Sequence, residues 1–140
     1  MIVIDASITI AWTLVDEQTP FANVIRDRVL SEGALVPSIW TLEVANVLIQ
    51  AERRGRKDAS TVTRALALLQ ALPVTVLPGS LAEDLNIVAS TARDHRLTSY
   101  DAAYLTLARR EGLPLATLDV DLIAAAKRLG IVVLSDESTP

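Results

Sequence analysis

The sequence of 140 residues predicts an α/β protein, a three-layer α/β/α sandwich on a central five-stranded parallel sheet. Three observations carry that expectation. Short β-rich apolar runs alternate with segments of helical periodicity, the pattern of strands joined by crossover helices and covered on both faces. Hydrophobic residues make up 51% of the chain but aromatics only 4%, so the core must be assembled from Leu, Val, Ile and Ala, as suits helices packed on a sheet. The helical segments also carry their own start and stop residues, and the right-handedness of parallel crossovers narrows the topology further.

The elements follow in order. IVI (2–4) reads as the first strand and ends at Asp5. Thr19–Pro20 opens a helix that Gly33 closes, and ALV (34–36) is the second strand. The next helix holds Glu43 and ends at Gly55, and a further one is stopped by Pro73 just ahead of VTVL (74–77). Ser80 with Glu83 has the spacing of a capping box, as has Thr98 with Asp101 in a helix that Gly112 ends. LAT (115–117), the helix DLIAAAKRL closed by Gly130, and IVVL (131–134) complete the pattern. With no internal repeat, low-complexity stretch or linker, a single domain over 1–134 is expected, with a polar tail, SDESTP (135–140), that frays.

Composition excludes several functions. The absence of cysteine removes disulfide frameworks, cysteine zinc sites and thiol catalysis, and fits a reducing compartment such as the cytoplasm. No apolar run reaches membrane-spanning length, and MIVIDAS lacks a basic segment before a hydrophobic one, so neither export nor a membrane location is expected. A net charge of −4 is the wrong sign for holding nucleic acid by bulk charge. A phosphate substrate would need local Arg and Lys clusters or bound metal.

In an open parallel sheet, ligands bind beyond the carboxyl ends of the strands, so acids at those ends are the first candidates. Asp5 follows IVI directly, and Asp119 stands two residues after LAT. Each also has a structural reading: Asp5 as the cap of the helix ASITIAW, and Asp119 or Asp121 as the cap of DLIAAAKRL. Asp121 is nearer that helix start, which leaves Asp119 freer for chemistry. Asp101 fits a capping box with Thr98 equally well. Glu43 is different, because WTLEVANVLIQ (40–50) is strongly apolar and a lone buried carboxylate costs several kcal/mol unless neutralised or paired. Asn46 and Gln50 share a narrow polar stripe with it. If the four acids converge, each like-charged pair at about 4 Å and an effective dielectric of about 20 costs about 4 kcal/mol, and a divalent cation is the natural answer. Oxygen ligands without Cys or clustered His suit Mg²⁺ or Mn²⁺ rather than zinc.

The remaining groups have plainer readings. Arg53, Arg54, Arg56 and Lys57 complement a helix C-terminus, with phosphate contact as the alternative. His95, the sole histidine, reads as a surface residue, and the few aromatics as core or interface.

IVIDAS at the start, P-S-x-W-x-x-E-V-A-N-V-L (37–48), S-Y-D-A-A-Y-L-T-L-A (99–108) and A-T-L-D-V-D-L (116–122) followed by AAAKRLG together resemble PIN-domain ribonucleases, most closely the VapC-type toxins of toxin–antitoxin pairs. The resemblance runs nearly end to end. It implies a PIN-like fold and metal-dependent hydrolysis of RNA that leaves 5′-phosphate and 3′-hydroxyl ends. The family's acidic quartet maps onto Asp5, Glu43, Asp101 and Asp119, and its small polar neighbours onto Ser7, Asn46 and Thr117, with Asp121 as an outer ligand or cap. It further implies a homodimer and a small antitoxin protein whose C-terminal segment covers the acidic groove. Two rival readings remain: a non-catalytic interaction module, and a receiver domain. The receiver reading expects an Asp after the third strand and a Lys after the fifth, where this chain has PGS and SDE.

Overall fold

The computed structural model describes residues 1–14 and 18–136, so residues 137–140 of the expected tail lie outside the described residues. Five strands form one parallel sheet in the order β3-β2-β1-β4-β5. They are β1 (Ile2–Ile4), β2 (Ala34–Pro37), β3 (Val74–Leu77), β4 (Leu115–Ala116) and β5 (Val133–Leu134). All three residues of β1 are fully buried, and since successive side chains point to opposite faces, both faces of the sheet are covered there. Helices α1 (Ala6–Thr13), α2 (Pro20–Glu32), α3 (Ile39–Arg53) and α4 (Ala59–Gln70) pack in sequence, α1 on α2 and α3, and α4 on α3. A π-helical turn, Glu83–Val88, runs into α5 (Ala89–His95); α6 (Ser99–Glu111) lies against β1 and β2 and packs on both, with α7 (Val120–Arg128) beside it. The α/β sandwich expected from the strand-helix alternation is the one observed.

The strand order matters most for function. From β1 the chain winds outward through β2 to β3, then returns to place β4 and β5 on the other side of β1. The direction of winding therefore reverses between β1 and β4, and there the two flanking loops diverge and leave a crevice at the carboxyl edge.

Local signals hold with adjustments, of which one is that the fourth strand is Leu115–Ala116, a residue shorter than LAT, although the Thr117 N–H still reaches the Leu134 carbonyl at 3.2 Å. Thr19 caps α2 by accepting from the Ala22 N–H, and Thr98 caps α6 by accepting from the Asp101 N–H. The last strand is shorter than IVVL, because the end of α7 takes Ile131. Gly130, at φ +70°, lets the Ile131 N–H reach back to the Ala126 carbonyl at 2.9 Å, so that group is lost to the sheet. The capping box at Ser80 forms by halves: Ser80 Oγ accepts from the Glu83 N–H, but the Glu83 carboxylate turns to Arg110 at 2.6 Å. Trp12, Phe21, Trp40 and Tyr104 are core residues, whereas Tyr100 is exposed. Packing continues one residue past β5, where Ser135 is buried. Among the described residues no helix is long and apolar enough to cross a membrane.

Candidate functional site

The register Ile4↔Ala116 places the ends of β1 and β4 side by side at the switch point. Asp5 follows the first directly and Asp119 follows the second by three residues, so the backbone alone brings these two acids to one crevice. Asp5 is buried, with 4% of its surface exposed, and it is fully dressed. Its Oδ1 accepts from Ser7 Oγ at 2.7 Å and from the Ile8 N–H at 3.2 Å; its Oδ2 accepts from Thr117 Oγ1 at 2.6 Å. Asp5 is thus also the cap of α1, so the two readings of this residue are compatible. Ser7 and Thr117 bind the β4–α7 loop in turn. Ser7 Oγ accepts from the Leu118 N–H at 3.0 Å and Thr117 Oγ1 from the Asp119 N–H at 2.9 Å, which locks both loops of the crevice together.

The cap of α7 is Asp119 rather than Asp121. The helix begins at Val120, one residue earlier than the sequence suggested, and Asp119 Oδ1 accepts from the N–H groups of Asp121 and Leu122. Only Asp119 Oδ2 is then left for other work. Asp121 is exposed in the first turn of α7, where a negative charge complements the helix dipole.

Glu43 and Asp101 arrive on helices. Glu43 sits one turn inside α3, half-buried, and Tyr104 of α6 donates its hydroxyl proton to Glu43 Oε1 at 2.8 Å. Asp101 lies in the first turn of α6, three residues before Tyr104 and therefore on the same helix face. Asn46 is exposed one turn beyond Glu43. Tyr104 escaped the reading of the sequence as a site residue; the available signal was its spacing from Asp101.

The electrostatics join these groups into one constellation. Burial raises the Asp5 carboxyl from 3.8 to about 6, the bonds from Thr117, Ser7 and Ile8 oppose that rise, and the Asp119 charge adds to it. Burial likewise raises Glu43, against the Tyr104 hydrogen bond and with the repulsion of Asp101. Asp101 is raised by burial and then by Asp119, with Asp121 adding a smaller push against the bond from Thr98. Tyr104 is held far above its usual range by burial and by the charges of Glu43, Asp5 and Asp101, so it stays a hydrogen-bond donor. Each acid therefore feels its neighbour, in the chain Glu43, Asp101, Asp119, Asp5. Among the described residues no three acids close tightly enough to enclose an ion by themselves. The arrangement is an open acidic crevice, which suits a cation that keeps several waters and takes only one or two carboxylates.

Comparison with known proteins agrees with the geometry. The PIN domain family profile matches residues 2–133. Ribonuclease VapC9 of Mycobacterium tuberculosis is 33% identical over 124 residues, covering 87% of this chain and 88% of the relative. The crystal structure of PAE2754 from Pyrobaculum aerophilum superposes with a TM-score of 0.71 at 27% identity, over 94% of this chain and 87% of that one. The Mycobacterium tuberculosis toxin VapC20, described as cleaving the sarcin-ricin loop, shares the fold with a TM-score of 0.64 at 16% identity, over 89% of this chain and 95% of its own. A match across nearly the whole chain, on a five-stranded parallel sheet with Asp5 and Asp119 at its switch point, makes this protein a member of the PIN-domain family.

Proposed function

We propose that the protein is an endoribonuclease dependent on Mg²⁺ or Mn²⁺, acting as the toxin of a type II toxin–antitoxin pair, with Asp5, Glu43, Asp101 and Asp119 as its catalytic, metal-holding residues. The observation that carries the reading is the placement of buried Asp5 beside Asp119 at the carboxyl edge of the sheet, with Asp119 repelling both Asp5 and Asp101, and Asp101 repelling Glu43. Burial and mutual repulsion of carboxylates destabilise a fold unless a cation offsets them. The donor set fits a hard divalent ion, being oxygen throughout.

When bound, such an ion supplies an activated water and neutralises charge on the departing oxygen of the phosphodiester. The chain's own residues do the rest. Asp5 and Asp119, the acids at the two strand ends, would supply the direct ligands; Oδ1 of each already serves a helix cap, and Asp5 Oδ2 also accepts from Thr117. Glu43 and Asp101 complete the ligand set or hold its waters. Thr117 and Ser7 fix the Asp5 carboxylate in place, as hydrogen-bonded neighbours of ligating carboxylates do. Asp121, exposed in the first turn of α7, and Asn46, exposed one turn beyond Glu43 on α3, serve as outer contacts for water or substrate.

The partners follow the same reading. The antitoxin is a small protein whose basic side chain complements the acidic crevice. Homodimerisation draws support from a groove lined by Ile39, Leu42, Leu85, Val88 and Tyr100, in which Leu42 is 67% and Leu85 73% exposed. The site of action is the cytoplasm, where RNA and antitoxin are met.

Incubation of the purified protein with total RNA, with Mn²⁺ or with EDTA, tests the proposal. Cleavage should require the metal and should fail in E43Q, which keeps the shape of the side chain but not its charge. Undiminished cleavage by E43Q, or cleavage in EDTA, would overturn it.

A further inference from the structure

We infer that Tyr104 is a positioning residue, which holds the Glu43 carboxylate in the acidic crevice; the inference rests on the metal-dependent reading above. Glu43 has three rotatable bonds and emerges from a helix whose next turn exposes Asn46 and Val47 to solvent, so its packing alone does not fix the carboxylate. Among the described residues, the side-chain hydrogen bond that fixes it comes from the Tyr104 hydroxyl, at 2.8 Å on Oε1.

Tyr104 is suited to that task. The residue is 1% exposed and belongs to the main hydrophobic cluster with Leu105 and Leu107, so the hydroxyl is carried on a rigid arm with only two rotatable bonds. The same face of α6 presents Asp101 three residues earlier. One helix therefore delivers an acid of its own and also clamps the acid of α3, 61 residues away in sequence. Because the bond occupies Oε1, Oε2 remains for a cation or its water. The plainer alternative is a core tyrosine that only satisfies its own hydroxyl, for which Glu43 is a convenient acceptor. That alternative makes Tyr104 matter to folding and not to metal.

The two are separated by calorimetric titration of Mn²⁺ alone into the parent protein, Y104F, E43Q and the double variant Y104F/E43Q, with thermal melts of each in EDTA. Y104F keeps the ring and removes only the donor. The expected result is Mn²⁺ binding about 10-fold weaker in Y104F than in the parent, the loss usual for neighbours of metal ligands. In the E43Q background the further change Y104F should have no effect on Mn²⁺ affinity, because its action passes through Glu43. Three outcomes overturn the inference: Y104F binding Mn²⁺ as the parent does, losses in the two single variants that simply multiply, or a Y104F chain that does not fold. Parent protein that binds no Mn²⁺ removes the metal-dependent reading itself, and the inference with it.

Discussion

Replacing Asp5 with Asn should make the metal-free protein more stable, and the size of the gain can be worked from the burial of that one carboxyl. Its pKa is raised from 3.8 to about 6 in the folded state, chiefly by burial. A shift of roughly two units at about 1.4 kcal/mol each means that the folded state disfavours the ionised group by about 3 kcal/mol. The sign follows from linkage. An acid with a raised folded pKa binds its proton more tightly when folded, so its penalty is absent below about pH 4, grows as pH rises toward 6, and is complete above that. D5N carries no charge to bury. It keeps an oxygen for Ser7 and Ile8 but turns an N–H toward Thr117 Oγ1, which must reorient while still accepting from Asp119. That loss takes back about 1 kcal/mol, leaving a net gain of about 2 kcal/mol near pH 7.5.

Thermal melts of parent and D5N in EDTA, from pH 3.5 to 8, measure this directly. For a chain of this size the gain corresponds to a Tm higher by on the order of 5–8 °C at pH 7.5, and near pH 4, where the burial penalty is gone and only the weakened Thr117 contact remains, D5N should be the less stable protein by about 1 kcal/mol. Taking the difference between the two proteins cancels the opposing contributions of exposed acids such as Asp58, whose pKa is lowered by its cap to Thr61. Saturating Mn²⁺ should reverse the order, since a ligand at about 100 times its Kd adds about 2.7 kcal/mol to the protein that binds it and nothing to the one that does not. A gap that stays flat with pH, or a D5N protein less stable than the parent at pH 7.5 without metal, would refute the argument.

The other expectations rest on single contacts. T117V removes a buried donor to a carboxylate and strands the Asp119 N–H, so it should cost about 2–3 kcal/mol at pH 7.5 and less below pH 5, read by urea denaturation at both values. R96G should raise Tm by a degree or two, because Arg96 ends α5 at φ 54°, a left-handed conformation that a side chain resists by about 1–2 kcal/mol, part of which the freer unfolded glycine gives back. Neutralising the exposed Arg53 and Arg54 at the end of α3 should leave the melt unchanged and, if they contact phosphate, lower the salt dependence of RNA binding by about one to two counterions, measured by filter binding across salt concentrations.

The parts of this site that were legible beforehand are those the backbone determines. IVI and LAT read as strands because apolar β-branched residues are bounded by turn residues, and the acids at their ends could be marked because parallel sheets bind ligands there. Glu43 was legible as an anomaly, a carboxylate in an apolar run. The cap of α7 lies two residues before the Asp121 that the sequence favours, because both acids are good caps and local composition does not say which takes the extended backbone; the structure gives it to Asp119, at ψ 118°. The π-helical turn at 83–88 left no signal, since its composition is that of any amphipathic helix. The contacts that tune the acids were out of reach altogether, because Thr117 meets Asp5 across 112 residues and Tyr104 meets Glu43 across 61.

That division has a physical consequence for how the four acids behave. Asp5 and Asp119 are set by the Ile4↔Ala116 register and by the cross-links through Ser7 and Thr117, so their spacing can change only if the sheet or both loops move. Glu43 and Asp101 depend on how α3 and α6 pack and on one hydroxyl between them. Interior packing tolerates small helix shifts far more readily than a buried sheet tolerates a slip of register, which would turn its side chains to the opposite face. The rigid pair should therefore set where a cation sits, and the helix-borne pair should set how well water and substrate are arranged around it. Substitutions that loosen α3 or α6 against the elements each packs on then weaken catalysis more than metal affinity unless, as at Tyr104, they release a ligand itself.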